Sequence, residues 1–231
     1  MDVRRTVSHL VQIFRFDEVP IWRAAQQTAV NALTQLLGLQ QIGVGPDETG
    51  RPQVLGQIGQ FQVANGELIP VLKLALEDRR ILLSVEGTTD QAHEVLRVLA
   101  RYLAELGGHV DDDFPQPLVT SYETEFISRL GFQAERLVSP VLLEFVNDDV
   151  AQIAGSPLAQ AVPALSEVKF IINYQPDPTL EDYRVSFSRK EFVIGPRAGY
   201  PVADQMYTSK APIDSDAHIR ILKKLEAILS R

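Results

Sequence analysis

No cysteine occurs in the 231 residues. That absence excludes a disulfide scaffold, a cysteine nucleophile, a zinc finger and a cysteine-ligated iron–sulfur cluster. Long apolar runs are missing too: none approaches the ~18 residues that cross a bilayer. The first residues lack the uninterrupted apolar segment of a secretory signal. No Asn-x-Ser/Thr acceptor is present. With the missing cysteines, this points to a reducing, cytoplasmic setting. Positive charge is scarce: 22 Lys+Arg stand against 30 Asp+Glu, a net of −8. A general nucleic-acid coat is disfavoured, since phosphate binding needs clustered Lys and Arg.

What is present is an ordinary globular composition. Hydrophobic residues make up 45% and charged residues 23%, too apolar for a disordered chain. The length fits one large domain or two small ones. Charge is uneven. Residues 111–182 hold 13 acids and 3 bases, a net of −10, whereas 183–210 hold 5 bases and 2 acids, a net of +3.

Hydrophobic periodicity orders the chain. Residues 7–16 alternate as a strand, with Val7, His9, Val11 and Ile13 on one side and Leu10, Phe14 and Phe16 on the other. Pro20 suits the first turn of a helix whose stripe is Ile21, Ala25, Ala29, Leu33 and Leu36, stopped by Gly38. Residues 43–52 read as a turn-rich loop. Strands follow at 57–63, 68–76 and 80–85, the first two joined by the hairpin signal Asn65-Gly66. Thr88-x-x-Gln91 is a capping box opening a helix striped by Ala92, Val95, Leu96, Leu99 and Leu103.

Residues 107–117 combine Gly-Gly, three consecutive aspartates and two prolines, the best domain boundary. Beyond it, 122–132 reads as a strand. Ser139-Pro140 reads as an N-cap and first helical residue, with a strand at 141–146 as competitor. Strands are expected at 168–174, 183–188 and 191–194. Residues 195–213 show no clear periodicity, and Asp214 caps a final helix striped by Ile221, Leu222, Leu225 and Ile228.

The expected fold is therefore α+β: two tandem β-α-β-β-β-α units at 1–108 and 118–231, joined by a linker at 109–117 and packed as two domains or one. Antiparallel sheets would carry helices on one face and leave the other wet. This element order resembles the tandem halves of TATA-binding-protein-like folds. The resemblance is one of topology with no shared motif, and it implies nothing about DNA binding.

No recognisable catalytic motif is present, so the reading leans away from an enzyme and calls no cofactor and no metal. His9, His93, His109 and His218 show no His-x-x-x-His spacing and read as surface or lightly packed residues. Asp214-Ser215-Asp216-Ala217-His218 holds three metal-ligand types, but acids at a helix start satisfy free N–H groups. The glycine-rich stretch 43–51 lacks the Gly-Lys-Ser/Thr ending of a phosphate loop. Ser209 and Lys210 are adjacent, which rarely lets a Ser–Lys pair converge.

The long 195–213 segment stands out, because such loops are uncommon unless functional. The candidate binding residues are Arg184, Arg189, Lys190, Arg197, Tyr200, Asp204, Tyr207 and Lys210, an aromatic–basic set typical of interfaces. The leading expectation is a non-enzymatic interaction or assembly subunit with a protein partner or a second copy of itself. The alternatives are a small-ligand binder with 195–213 as lid, and a local nucleic-acid contact through 184–210. No membrane association is expected.

Overall fold

The computed structural model describes residues 1–47, 49–63, 66–108, 114–150, 164–173 and 189–230, without the side chains of 149 and 150. Strand β1 (Asp2–Ile13) leads into helices α1 (Ile21–Ala24) and α2 (Gln27–Leu37). Strands β2 (Gln41–Pro46), β3 (Pro52–Gln62), β4 (Leu68–Leu76) and β5 (Arg80–Glu86) follow, then helix α3 (Thr89–Gly107). Strand β6 (Val119–Arg129) precedes α4 (Pro140–Phe145), which continues as a π turn over Val146–Val150. Strands β7 (Val168–Ile172), β8 (Lys190–Pro196) and β9 (Met206–Ala211) lead to the last helix, α5 (Ser215–Leu229).

Among the described residues, nine strands join one antiparallel sheet, ordered β2-β3-β4-β5-β1-β6-β9-β8-β7. The fold is α+β. Strand β1 bonds to β5 on one side and β6 on the other, so the ladder runs unbroken between residues 1–108 and 118–230. Side-chain alternation assigns the faces. Leu74, Leu83 and Leu10 share a row across β4, β5 and β1 and are fully buried with Val95, Leu99 and Leu103 of α3. A second cluster gathers Phe126, Ile194 and Tyr207 from the sheet with Leu222 of α5. Removing each such side chain from water contributes roughly 1.5–3 kcal/mol.

The helix starts obey their caps. Thr88 and Gln91 form the reciprocal capping box, and Asp214 accepts from the Ala217 N–H at 2.7 Å. The N-termini of α3 and α5 meet: the Thr89 and Ser215 hydroxyls lie 2.9 Å apart, and each accepts from the other's backbone N–H at 3.2 Å. Gly38 ends α2 in the left-handed region at φ +57°.

Several expectations need correction. Residues 43–52 are a loop only in part, the chain turning where Asp47 N–H donates to Arg51 O at 2.7 Å. They hold most of β2 and the start of β3, so 1–108 carry five strands and not four. Gly43, Gly45 and Pro46 conceal β2 because they are poor strand formers, tolerated here at the sheet edge. Residues 195–213 contain strand β9, in which Tyr207, Ser209 and Ala211 are buried while Thr208 is exposed. A serine and an alanine on the inner side erased the alternation. The helix expected from Pro20 is two helices, split where Gln26 takes an extended backbone. Phe16 falls beyond β1 and is exposed, held under the Arg79 guanidinium at 4.1 Å.

At 139–150 the structure is helical, with Ser139 accepting from Leu142 N–H; residues 151–154 lie outside the described set. So do the strand expected at 183–188, Asn65 of the hairpin signal, and 109–113 of the linker. Among the described residues no helix is long and apolar enough to cross a membrane.

Candidate functional site

The sheet face opposite the helices carries a polar network across β5, β1, β6 and β9. Register sets it. His9 faces Ser84 in β5 and Glu123 in β6, and Glu125 faces Lys210 in β9. The His9 Nδ1 lies 2.7 Å from the Ser84 hydroxyl, and its Nε2 lies 3.8 Å from Glu125. Lys210 Nζ lies 2.9 Å from Glu123 and 3.8 Å from Glu125. Beside them, Arg5 donates to both carboxylate oxygens of Glu86, at 3.1 and 3.0 Å.

The charges reinforce one another. The neighbouring His9 ring, with the positive Lys210 and Arg5, holds the Glu125 carboxyl below its ordinary range against the opposing pull of burial. Burial works against the Lys210 charge, yet the bond to Glu123 and the field of Glu125 keep its ammonium above the usual value. The hydrogen bond to Glu86 raises Arg5 likewise.

Two chemistries suggest themselves for this network. His9, Glu123 and Glu125 offer ligand atoms within 4.8 Å of one another. The carboxylates are already neutralised by Lys210, so a metal ion would have to displace the chain's own cation. Ser84, His9 and Glu125 also stand in the order of a hydrolytic triad. Ser84 is buried at 4% exposure, the His9–Glu125 separation exceeds a hydrogen bond, and the N–H groups of a paired strand are committed to the ladder. The network ties strands together and balances their charge.

A second feature lies on the same face at the end of β6. Arg4, Arg129, Tyr200, Asp204 and Met206 line a pocket of about 430 Å³. Arg129 faces Met206 in the β6–β9 register. The excursion between β8 and β9 supplies Tyr200 and Asp204. It is fastened at its ends by Arg197 N–H to Met206 O at 2.8 Å and Leu130 N–H to Gln205 O at 3.1 Å. The Arg197 guanidinium stands 5.6 Å from the centre of the Tyr200 ring, and its buried Nε has no partner among the described residues.

The eight residues expected from sequence therefore separate. Tyr200 and Asp204 line the pocket, and Arg197 stands beside the Tyr200 ring without lining it. Lys210 belongs to the central network. Tyr207 points to the helix side, where it is buried and donates to Phe132 O at 2.6 Å; burial pushes its hydroxyl up to about 12. Lys190 opens β8 on the side of Phe192 and Ile194, Arg189 precedes it in an exposed position, and Arg184 lies outside the described residues.

Sequence reading missed Arg4 and Arg129 of the pocket and Glu123 and Glu125 of the network, because only register brings them to their partners. It also misjudged His218, which is fully buried. Thr124 gives its one hydroxyl proton to Ile213 O at 3.1 Å, so it accepts from His218 Nδ1 at 2.8 Å. That leaves Nε2 as a bare acceptor with no partner among the described residues. Burial lowers the His218 pKa to about 4.

No protein-family model matches the chain, and comparison with curated proteins gives no match.

Proposed function

We propose that the protein is a non-enzymatic assembly subunit that docks a partner protein on the uncovered face of its sheet. The observation that carries this reading is an apolar row on that face bordered by a central band of paired charges. Arg5 is matched by Glu86, and Lys210 by Glu123 and Glu125. Beside this band runs an apolar row, Leu55, Ala75, Leu82 and Val11, across β3, β4, β5 and β1. A polyanion needs unneutralised cations. A row of apolar side chains bordered by paired charges suits another protein surface. A nucleic-acid contact through the basic segment has less support, since Lys210 is neutralised and Lys190 and Arg197 lie apart from it.

The finer architecture belongs to the same proposal. The two halves read as a tandem duplication with a TATA-binding-protein-like order of elements. Matched contacts support this. Ser8 and Thr124 face each other in the β1–β6 register, and each hydroxyl donates to the carbonyl just before a helix cap, Gly87 O and Ile213 O. Thr89 and Ser215, one residue past the caps, bond each other. Phe14 N–H donates to Arg79 O as Leu130 N–H donates to Gln205 O. A cytoplasmic location fits the absence of cysteine.

The test is to isolate the full chain from its native host, identify any stoichiometric companion, and repeat the isolation with Leu55→Glu plus Leu82→Glu. Loss of the companion with unchanged melting temperature supports the docking face, provided Ile228→Glu on α5 retains it. A protein that is only monomeric by light scattering and has no stoichiometric companion sinks the proposal. So does a companion that survives the double substitution.

A further inference from the structure

We infer that the pocket beside Tyr200 binds a nucleoside monophosphate. Three kinds of side chain converge there, and each matches one part of such a ligand. Arg4 and Arg129 present guanidinium groups, whose planar forks suit phosphate oxygens. Arg4 is engaged by Asp2 at 2.8 Å, both largely exposed, a weak pairing that a doubly charged phosphate displaces. Arg129 has no ion-pair partner among the described residues and is exposed, so its charge is available in a protein that is otherwise acidic.

The Tyr200 ring is half-exposed at 49% and braced by the Arg197 guanidinium. A flat base stacks on such a ring, and stacking tolerates any base identity. Met206 extends the apolar wall with a polarizable thioether. Asp204 is the acceptor in the set, and a carboxylate takes hydrogen bonds from a vicinal diol of the kind a ribose carries. The volume of about 430 Å³ lies inside the range of roughly 300–1,000 Å³ typical of small-ligand sites.

The site is also held in shape. Gly199 turns the chain at φ +82°. Backbone bonds from Arg197 to Met206, from Asp204 to Pro201 and from Gln205 to Val202 fix the excursion that carries Tyr200 and Asp204. Arg129 and Met206 project from paired strands. The ligand therefore meets groups placed by the sheet, and little is lost in ordering them.

The experiment is isothermal titration of the full chain with AMP, GMP, 2′-deoxy-AMP, adenosine and inorganic phosphate at low and moderate salt. The expected result is saturable binding of both ribonucleoside monophosphates that weakens as salt rises. Adenosine and phosphate alone should each bind at least about tenfold more weakly. Arg129→Gln and Tyr200→Ala should each weaken AMP about tenfold or more, with melting temperatures unchanged because both side chains are exposed. Asp204→Asn should abolish any preference for AMP over 2′-deoxy-AMP.

The inference is overturned if neither monophosphate binds at millimolar concentration. It is equally overturned if phosphate alone matches AMP, or if Arg129→Gln and Tyr200→Ala bind AMP as the unaltered protein does. None of these results bears on the docking face, whose test uses residues of β3 and β5.

Discussion

His218 is the residue whose surroundings differ most from what its place in the chain suggests. It sits on the first turns of α5, four residues past the cap, yet it lies under β6 with Phe126 at 4.5 Å and Phe192 at 6.3 Å between ring centres. Its neutral form is built in, since the pKa is about 4 in the fold against an ordinary 6.5. Well above pH 6.5 both folded and unfolded chains hold the neutral ring, and its titration adds no pH dependence to stability. As pH falls from 6.5 towards 4, the unfolded ring takes a proton that the folded ring refuses. Stability then drops by at most about 3 kcal/mol. The melting temperature should fall steadily over that window, and His218→Gln should lower it at pH 7 but flatten the slope. Equal slopes for the two proteins would refute this.

Tyr207→Phe is the companion test at the same scale. It strands the Phe132 carbonyl in the core and should cost about 1–3 kcal/mol in urea unfolding. A loss below a few tenths would mean that the bond contributes nothing net.

Elements with chemical punctuation were legible from the sequence. The Thr88–Gln91 box and the Asp214 cap located α3 and α5, because a side chain that satisfies free N–H groups leaves a local signature. Strands β2 and β9 were hidden because their identity is not local. β2 exists because β3 lends it hydrogen bonds, despite two glycines and a proline. β9 exists because β6 and β8 flank it, with Ser209 and Ala211 packed inward. The pocket was half legible for the same reason: Tyr200 and Asp204 lay in a segment that lacked periodicity, whereas Arg4 and Arg129 look like any surface arginine until register places them.

The junction of α3 and α5 gives the prediction at this scale. Thr89 and Ser215 share three contacts, so Thr89→Ala and Ser215→Ala should be non-additive. A double-mutant cycle should show about 0.5–3 kcal/mol of coupling, and additivity would mean the helices merely lie close. At the other end of α2, Gly38→Ala should cost at least about 1 kcal/mol. The new Cβ would need φ +57° and would stand 2.6 Å from Gln60 O.

For the molecule as a whole, the question is whether residues 1–108 and 118–231 unfold together. Strand β1 pairs along nearly its whole length with β6, and α3 meets α5, so both layers cross the boundary. The single tryptophan, Trp22, lies in α1 and reports on the first half alone, whereas far-ultraviolet circular dichroism reports on both. The two signals should trace one urea transition. A fluorescence midpoint displaced from the dichroism midpoint would mean two units of separate stability.

The position of β1 between β5 and β6 also constrains the order of events during synthesis. β1 is made first, yet its partners lie far along the chain: Val7 pairs with Glu86 and with Glu125. Once β5 has docked, the other edge of β1 presents unpaired N–H and C=O groups until β6 emerges. An open strand edge on a nascent chain is a template for mispairing with a neighbouring copy. Ribosomal pauses that leave β5 outside the exit tunnel and β6 still inside it should therefore raise the aggregated fraction, and pauses after β6 has emerged should not.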